Sequence, residues 1–137
     1  MQKGYKTLKI YELSHKLAIM VHKMTLSLPK FELFEEGSQC RRSSKSVSSN
    51  IVEGYALRKY KNEYLHYLYR SYGSSLETIE HLEFLHETGS LSDEKIFTAL
   101  MNGYDELNKM LFGFIESVER QHNTPYFVKE EGLDYNY

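Results

Sequence analysis

The sequence predicts an all-α fold, an up-down antiparallel four-helix bundle, and two observations support this prediction. First, Pro29 and Pro125 are the only prolines, so the long stretch between them lacks the residue that most strongly breaks helices. Second, apolar residues recur at intervals of three and four in four successive segments, the period of a helix with one buried face. Short connectors between the segments favour antiparallel neighbours.

Length and composition are those of one globular domain. The chain has 137 residues, a hydrophobic fraction of 41% and a formal charge of −2, whereas proteins that bind nucleic acid through bulk charge are normally basic. The single cysteine excludes an internal disulfide and a cysteine metal site. No apolar run reaches the roughly 20 residues of a membrane span, and the first residues do not resemble a signal peptide. We therefore expect a cytoplasmic protein with no membrane partner.

The first two helices are predicted before residue 55. The first runs from about Ile10 to Leu28 and is ended by Pro29, and the segment KFELFEEGSQ then connects it to the second. The second helix, Ser38 to Gly54, is rich in serine, a mediocre helix former. We interpret the small side chains as surfaces that let neighbouring helices come close, and Gly54 as the end of the helix. Its narrow core face is expected to contain Cys40, Ser44, Val47 and Ile51.

The last two helices are longer. The third is predicted from Lys61 to Glu87 and is ended by Gly89, whereas the fourth begins with Ser92 as its cap and ends near Gln121. The domain therefore covers residues 1–121, and residues 122–137 are predicted to be an extended or disordered tail. The expected core stripe of the third helix consists of Leu65, Leu68, Tyr72, Leu76, Ile79, Leu82 and His86.

The apolar faces are wider than one bundle core requires. The third helix has a second face of aromatic and small residues, and the fourth is broadly apolar. Because large exposed apolar patches usually mark interfaces, we expect a homo-oligomer. The alternative is that the four helices and the tail cover these faces. The second face of the third helix consists of Tyr64, Tyr67, Ser71, Ser74 and Thr78.

The second helix and the turn after it are basic. Residues 38–62 contain six basic side chains and one acid, a net charge of +5. The first three bases lie within about a quarter-turn of one another, and the last three lie roughly 25 Å further along. Each group can contact phosphates, and Tyr55 and Tyr60 can stack on bases beside the second group. The candidate nucleic-acid-binding residues are Arg41, Arg42, Lys45, Arg58, Lys59 and Lys61.

Residues 77–95 carry the opposite charge, with six acids and one base, a net charge of −5. This asymmetry has two interpretations. The basic surface binds RNA or another acidic partner, or the opposite charges are solvated or pair between helices or subunits. The sequence favours the second interpretation.

Catalytic and metal-binding patterns are weak. Glu12–His15, Glu63–His66 and Glu83–His86 have the spacing used in di-metal helical bundles, but two of these pairs lie about 30 Å apart on one helix. The other helices supply too few inward carboxylates to complete a site. Cys40 falls on the predicted core face. We therefore expect no enzymatic activity, no metal, no cofactor and no small-molecule substrate.

Three residues close the second helix: Asn50, Glu53 and Gly54. Glu53 is the only acid in a basic stretch, so it can pair with Arg58 or Lys59 across the turn. Asn50 can hydrogen-bond to the backbone or across the bundle. We predict that all three have structural roles.

These residues belong to a longer pattern. Gln39-Cys40-Arg41-Arg42 leads through Ser46-Val47-Ser48-Ser49 to Asn50-Ile51-Val52-Glu53-Gly54. This run resembles the second-helix signature of the bacterial 23S rRNA-intervening sequence proteins, with Val52 in place of the commoner alanine. Ser74-Ser75-Leu76-Glu77, Leu8 to Leu17 and Pro29 also match, and the resemblance extends from about Tyr5 to Glu119.

The resemblance implies a four-helix bundle that assembles into a ring, typically a homopentamer. Members of the family were first noticed as reading frames inside segments inserted into 23S ribosomal RNA genes, which associates them with RNA. More distant relatives serve diversity-generating retroelements, where a basic pentameric bundle is similar to a nucleic-acid-handling subunit. The family has no established biochemical activity.

Overall fold

A computed structural model describes residues 4–121 of the chain. It contains four α-helices, which we label α1 (Lys9–Leu26), α2 (Glu36–Ala56), α3 (Lys61–Glu87) and α4 (Glu94–Arg120). Short 3-10 helices at Gly4–Thr7 and Lys30–Leu33 precede α1 and α2. The predicted all-α four-helix bundle is confirmed, and the predicted tail, residues 122–137, lies outside the described residues.

Each helix packs against two neighbours. The backbones of α1 and α2, α2 and α3, α3 and α4, and α4 and α1 lie side by side, whereas within residues 4–121 the backbones of α1 and α3, and of α2 and α4, do not approach each other. The pair α1/α2 and the pair α3/α4 therefore form opposite sides of a square bundle. Contacts between helices run in reverse chain order: Thr78 meets Ser43 and Ser71 meets Val47, which shows that α2 and α3 are antiparallel.

The core is continuous along the bundle. Leu17 and Val21 of α1 meet Val47 and Ile51 of α2 in one cluster of buried side chains, to which α3 and α4 contribute further members. The 3-10 helix before α1 joins it through Tyr5, whose ring packs edge-on against Tyr11 with centroids 4.9 Å apart. The buried members from α3 and α4 are Tyr64, Leu68, Leu82, Leu85, Leu100, Tyr104, Leu107, Leu111, Phe114, Ile115 and Val118.

The connector between α1 and α2 supplies a buried carboxylate. Glu32 is only 3% exposed, and its Oε1 accepts a hydrogen bond from the backbone N–H of Glu36 at 3.1 Å, at the start of α2. Its Oε2 accepts a hydrogen bond from the Ser90 hydroxyl at 2.6 Å. Because a carboxylate near a helix N-terminus satisfies free N–H groups and the helix dipole, Glu32 stabilises the beginning of α2.

The helix ends refine three sequence predictions. The cap of α4 is Asp93, whose Oδ1 accepts hydrogen bonds from two backbone N–H groups, so the prediction of Ser92 was wrong by one residue. Gly89 ends α3 as predicted, since its φ of 85° is in the left-handed region. The second helix continues to Ala56, so Gly54 does not end it.

The core face of α3 also differs from the prediction. The expected surplus face, which contains Tyr64, Ser71 and Thr78, is buried, whereas Leu76 of the expected core stripe is 46% exposed. The helix is rotated so that its small side chains face α2. None of the helices within residues 4–121 combines the length and apolar character that crossing a membrane requires.

Candidate functional site

Arg41, the first candidate RNA-binding residue, is half-buried and bonded to the chain itself. Its Nη1 donates a hydrogen bond to Thr25 Oγ1 at 3.1 Å, and its Nη2 donates one to the Leu33 carbonyl at 2.9 Å. These bonds connect α2 to the end of α1 and to the connector. The guanidinium is therefore engaged with the chain's own acceptors, and its removal would leave a part-buried carbonyl without that donor.

Arg42 and Lys45 lie on the outer surface of α2, where both are exposed. Arg42 forms no ion pair with any of the described residues. Lys45 reaches α1, where its Nζ donates a hydrogen bond to His22 Nδ1 at 3.1 Å. The structure thus separates the predicted first group: Arg41 is half-buried against the end of α1 and the connector, whereas Arg42 and Lys45 are exposed.

The second group lies at the turn between α2 and α3. The Arg58 guanidinium carbon sits 3.9 Å from the centre of the Tyr55 ring, and Arg58 Nη1 donates to the Tyr55 carbonyl at 3.0 Å. Lys61 Nζ donates to the Glu119 carbonyl at 2.7 Å, in the last turn of α4, where a cation is favourable. Lys59 is exposed. Tyr55 is buried, so its predicted stacking on a base was wrong.

Of the three signature residues at the end of α2, Gly54 lies against α3. Asn50 is buried, and its Nδ2 donates to the Ser46 carbonyl at 2.9 Å and to the Ser46 hydroxyl at 3.0 Å. A Cβ placed on Gly54 would lie 3.0 Å from Tyr67 Cβ, so glycine permits a close approach of α2 and α3 at this level. Glu53 is exposed and forms no ion pair with the described part of the chain.

A ladder of hydroxyl contacts joins α2 to α3. The Ser71 hydroxyl donates to the Val47 carbonyl at 2.7 Å, and Thr78 Oγ1 donates to Ser43 Oγ at the same distance. The hydroxyls of Ser46 and Ser74 lie 2.9 Å apart. The serine content of the second helix indicated close packing, but the partners on α3 were assigned to a surplus face. This interface is a structural feature of the fold.

The side chains that the sequence considered for catalysis are dispersed or buried. Burial, and secondarily the charge of Glu36, raises the pKa of the Cys40 thiol to about 12, so the thiol is un-ionised near neutral pH. His86 donates to Glu94 at 2.7 Å instead of to its sequence neighbour Glu83. Within residues 4–121 no group of three side chains has the arrangement of a metal site.

One groove was missed by the sequence interpretation. It lies between α1 and α2 and has a volume of about 420 Å³. His15 and His22 lie about two turns apart on one face of α1, and Ser48 and Ser49 of α2 line the same groove. This grouping can be recognised only when the register of the two helices is known. The groove is lined by His15, Ala18, Ile19, His22, Lys45, Ser48 and Ser49.

Comparison with known proteins places this bundle in a family. No curated protein sequence matches the chain. The solved structure of a protein of unknown function from the S23 ribosomal protein family of Bacteroides thetaiotaomicron superposes with a TM-score of 0.69 at 23% identity. The match covers 78% of this chain and 95% of that one, which shows a shared fold. The family model described as 23S rRNA-intervening sequence protein matches residues 6–113. The chain therefore belongs to the 23S rRNA-intervening sequence protein family.

Proposed function

We propose that the protein is a non-enzymatic, self-associating helical module whose α3/α4 side binds a second copy of the chain. One observation carries this proposal. Apolar residues on the flank of α3 that faces α4 alternate at intervals of four and three, the spacing of a coiled-coil seam. Tyr69 and Leu76 on this seam are 48% and 46% exposed, so α4 covers it only in part. The seam consists of Leu65, Tyr69, Tyr72, Leu76 and Ile79.

The facing surface of α4 extends this apolar area. Phe112 is 52% exposed and, with Tyr72, lines a groove of about 350 Å³ between the two helices. Three charged residues line it: Asp105 and Lys109 pair with each other at 3.2 Å within α4, and Glu116 adds one further acid. An aromatic surface with few uncompensated charges matches the composition of the centres of protein interfaces.

A ring requires a second, different apolar surface on each subunit. The connector between α1 and α2 supplies one together with the last residue of α1, since Leu26, Phe31 and Phe34 are all exposed and Phe34 retains 87% of its accessible surface. We propose that this connector receives the α3/α4 side of the next subunit. The family resemblance favours five subunits, a homopentamer.

Light scattering after size exclusion tests the assembly. Wild-type protein is expected to elute as an oligomer, and Leu76→Glu is expected to reduce it to a helical monomer because a charge in an apolar interface costs several kcal/mol. Ile19→Glu is the matched control: Ile19 has a similar exposure, 45%, but lies on α1. A wild-type monomer, or a Leu76→Glu oligomer of unchanged mass, contradicts the proposal.

RNA binding through the basic residues of α2 is a second candidate function. It is supported by the exposure of Arg42, Lys45 and Lys59, which leaves their charges accessible to phosphates. Arg41, Arg58 and Lys61 are the weaker candidates because each is less exposed and donates to a backbone carbonyl of the chain itself. Arg42→Glu and Lys59→Glu should each weaken binding to total cellular RNA and reduce its dependence on salt. Unchanged affinity in both variants would remove RNA from the proposed function.

A purely structural scaffold is the alternative to RNA binding. In this case the basic surface of α2 pairs with acids of a neighbouring subunit, and the exposed acids of α3 are available for that pairing. Arg42→Glu would then dissociate the oligomer while each bundle stays folded. The same light-scattering measurement separates this outcome from RNA binding, which predicts an intact oligomer. The exposed acids are Glu77, Glu80, Glu83 and Glu87.

A further inference from the structure

We infer that the groove between α1 and α2 binds the phosphate group of a nucleotide. The groove is on the side of the bundle opposite the α3/α4 seam, so its occupation is compatible with assembly through that seam. Five of its seven lining residues carry N–H or O–H groups, and none carries a carboxylate. A concave surface lined by donors and without acids is suited to an anion.

The positive charge of the groove is not compensated. Lys45 Nζ contacts His22 Nδ1 at 3.1 Å, so the ammonium is held over the groove by an imidazole nitrogen and not by a carboxylate. No carboxylate among the described residues forms an ion pair with it. An ammonium group has three donors. One is directed at His22, and two remain available for a phosphate oxygen.

The surrounding charges define which end of the groove receives the phosphate. Arg42 lies three residues before Lys45 on α2 and adds positive charge at the Lys45 end. The nearest acids along the two helices, Glu12 and Glu53, lie about one turn beyond His15 and Ser49, at the other end. We therefore place the phosphate beside Lys45 and His22.

The rest of the groove is suited to a ring. Ile19 lies between the two histidines on α1 and is partly exposed, and Ala18 lies beside it. His15 stacks on Tyr11 with ring centroids 5.4 Å apart, which fixes the orientation of its imidazole at the far end. A ligand with an anionic head and a flat apolar body matches this arrangement better than a bare anion does. Ser49 is exposed at the rim and can donate to a ribose or base.

This proposal rests on the RNA candidate only through Lys45. It needs neither Arg42 nor Lys59 as a contact, and it does not depend on self-association. The phosphate can belong to an RNA chain or to a free nucleotide, and the two sources share the same chemistry at Lys45 and His22. The experiment therefore uses a probe of each kind.

Titration of the full-length protein, followed through the imidazole NMR signals of His15 and His22, tests the inference. The probes are AMP, adenosine without phosphate, and a short single-stranded RNA. AMP should shift both histidines and adenosine should not. Lys45→Ala should weaken AMP binding about tenfold because a charge-assisted hydrogen bond is lost. Lys95→Ala, which removes an exposed lysine on α4, is the matched control and should bind AMP like the wild type.

The outcomes separate the two proposals. If the RNA shifts the same histidines and competes with AMP, the ligand is a phosphate of an RNA chain. If AMP shifts them and the RNA does not, the ligand is a free nucleotide. The proposed phosphate site is wrong if no phosphate-bearing probe shifts the histidine signals. It is also wrong if Lys45→Ala binds AMP as tightly as the wild type does. RNA affinity that depends on Arg42 and Lys59 but not on Lys45 leaves the RNA function standing, and with AMP still shifting the histidines it assigns the groove to a free nucleotide.

Discussion

The flank of α3 that faces α2 is lined by hydroxyl-bearing side chains, whereas the flank that faces α4 carries mostly larger apolar ones, with Ser75 as a buried exception that donates to Asn108 of α4. On the α2 flank, Ser71 and Thr78 are fully buried and hydrogen-bonded to α2. On the α4 flank, Tyr69 and Leu76 remain about half exposed. Burial along α3 therefore follows how closely the neighbouring helix approaches and not the hydrophobicity of each residue.

Small side chains explain this difference. A serine in a helix can bury its hydroxyl when a carbonyl or hydroxyl of the next helix lies within hydrogen-bonding distance, as the Val47 carbonyl does for Ser71. Large residues hold helices apart and leave their own outer edges in water. We conclude that the α2 flank stabilises the single bundle, and we propose that the α4 flank serves assembly.

Among the single substitutions at neutral pH, the largest expected effect comes from filling the α2 flank. Ser71→Leu adds volume where α2 and α3 are in close contact and deletes the donor to the Val47 carbonyl, so it should lower the free energy of unfolding by about 3 kcal/mol. Urea unfolding followed by circular dichroism measures this loss. Ser71→Ala, which keeps the space and removes only the hydroxyl, should lose about 1 kcal/mol. A Leu variant as stable as the Ala variant would show that this interface is not tightly packed.

Two glycines sharpen the same comparison. A Cβ added to Gly54 would lie 3.0 Å from Tyr67 Cβ and 3.2 Å from Tyr64 Cδ1. A Cβ added to Gly73 would contact nothing within 4 Å. Gly73→Ala should raise the free energy of unfolding by about 1 kcal/mol through helix propensity. Gly54→Ala should lower it by about 1 kcal/mol because crowding outweighs the same gain. Thermal unfolding of both variants measures the difference, and equal shifts would contradict the close approach of α2 and α3.

The pH dependence of stability tests how dry the buried face of α2 is. Because burial raises the pKa of Cys40 to about 12 from 9.0, the thiol ionises more readily in the unfolded chain. The contribution of the protonated thiol to the free energy of unfolding is fully present below pH 9. It is lost as the pH rises towards 12, at about 1.4 kcal/mol per pH unit. Urea unfolding of the wild type should therefore weaken more steeply between these pH values than that of Cys40→Ala. Parallel curves would show that the thiol is hydrated.

The smallest expected effect concerns a hydroxyl in the core. Tyr104 is fully buried, and among the described residues its hydroxyl lies near Ser44 without completing a hydrogen bond of ordinary geometry. Burial also raises the pKa of this phenol. Tyr104→Phe should therefore raise the free energy of unfolding by up to about 1 kcal/mol. Calorimetry detects such a change as a higher melting temperature. A loss of stability would mean that the hydroxyl is satisfied in solution.

The fold could be predicted because helix periods and helix breakers are local signals. Pro29 and Gly89 end helices through the conformation of a few neighbouring residues. The end of α3 at Glu87 could therefore be predicted without knowledge of tertiary contacts. The rotation of α3 could not be predicted, because serine and threonine become core residues only when a partner such as Ser43 faces them. Hydrophobic periodicity assigns them to the surface.

The candidate site was less predictable for the same reason. Sequence spacing placed Arg41, Arg42 and Lys45 near one another, but the accessibility of each depends on acceptors from elsewhere in the chain. Thr25 and the Leu33 carbonyl engage Arg41, and His22 orients Lys45. The groove between α1 and α2 could not be predicted, because its residues come together only through the register of the two helices, which the sequence pattern of each helix does not determine.

The most direct test of the account is the urea midpoint measured at several protein concentrations, for the wild type and for Leu76→Ser. If the α4 flank of α3 serves assembly, the wild-type midpoint should rise with concentration, because association stabilises the folded chain by mass action. Leu76→Ser should unfold at one midpoint at all concentrations, close to that of the most dilute wild type. A wild-type midpoint that does not change with concentration, or a Leu76→Ser midpoint that rises as steeply as the wild type, would contradict the division of α3 into a folding flank and an assembly flank.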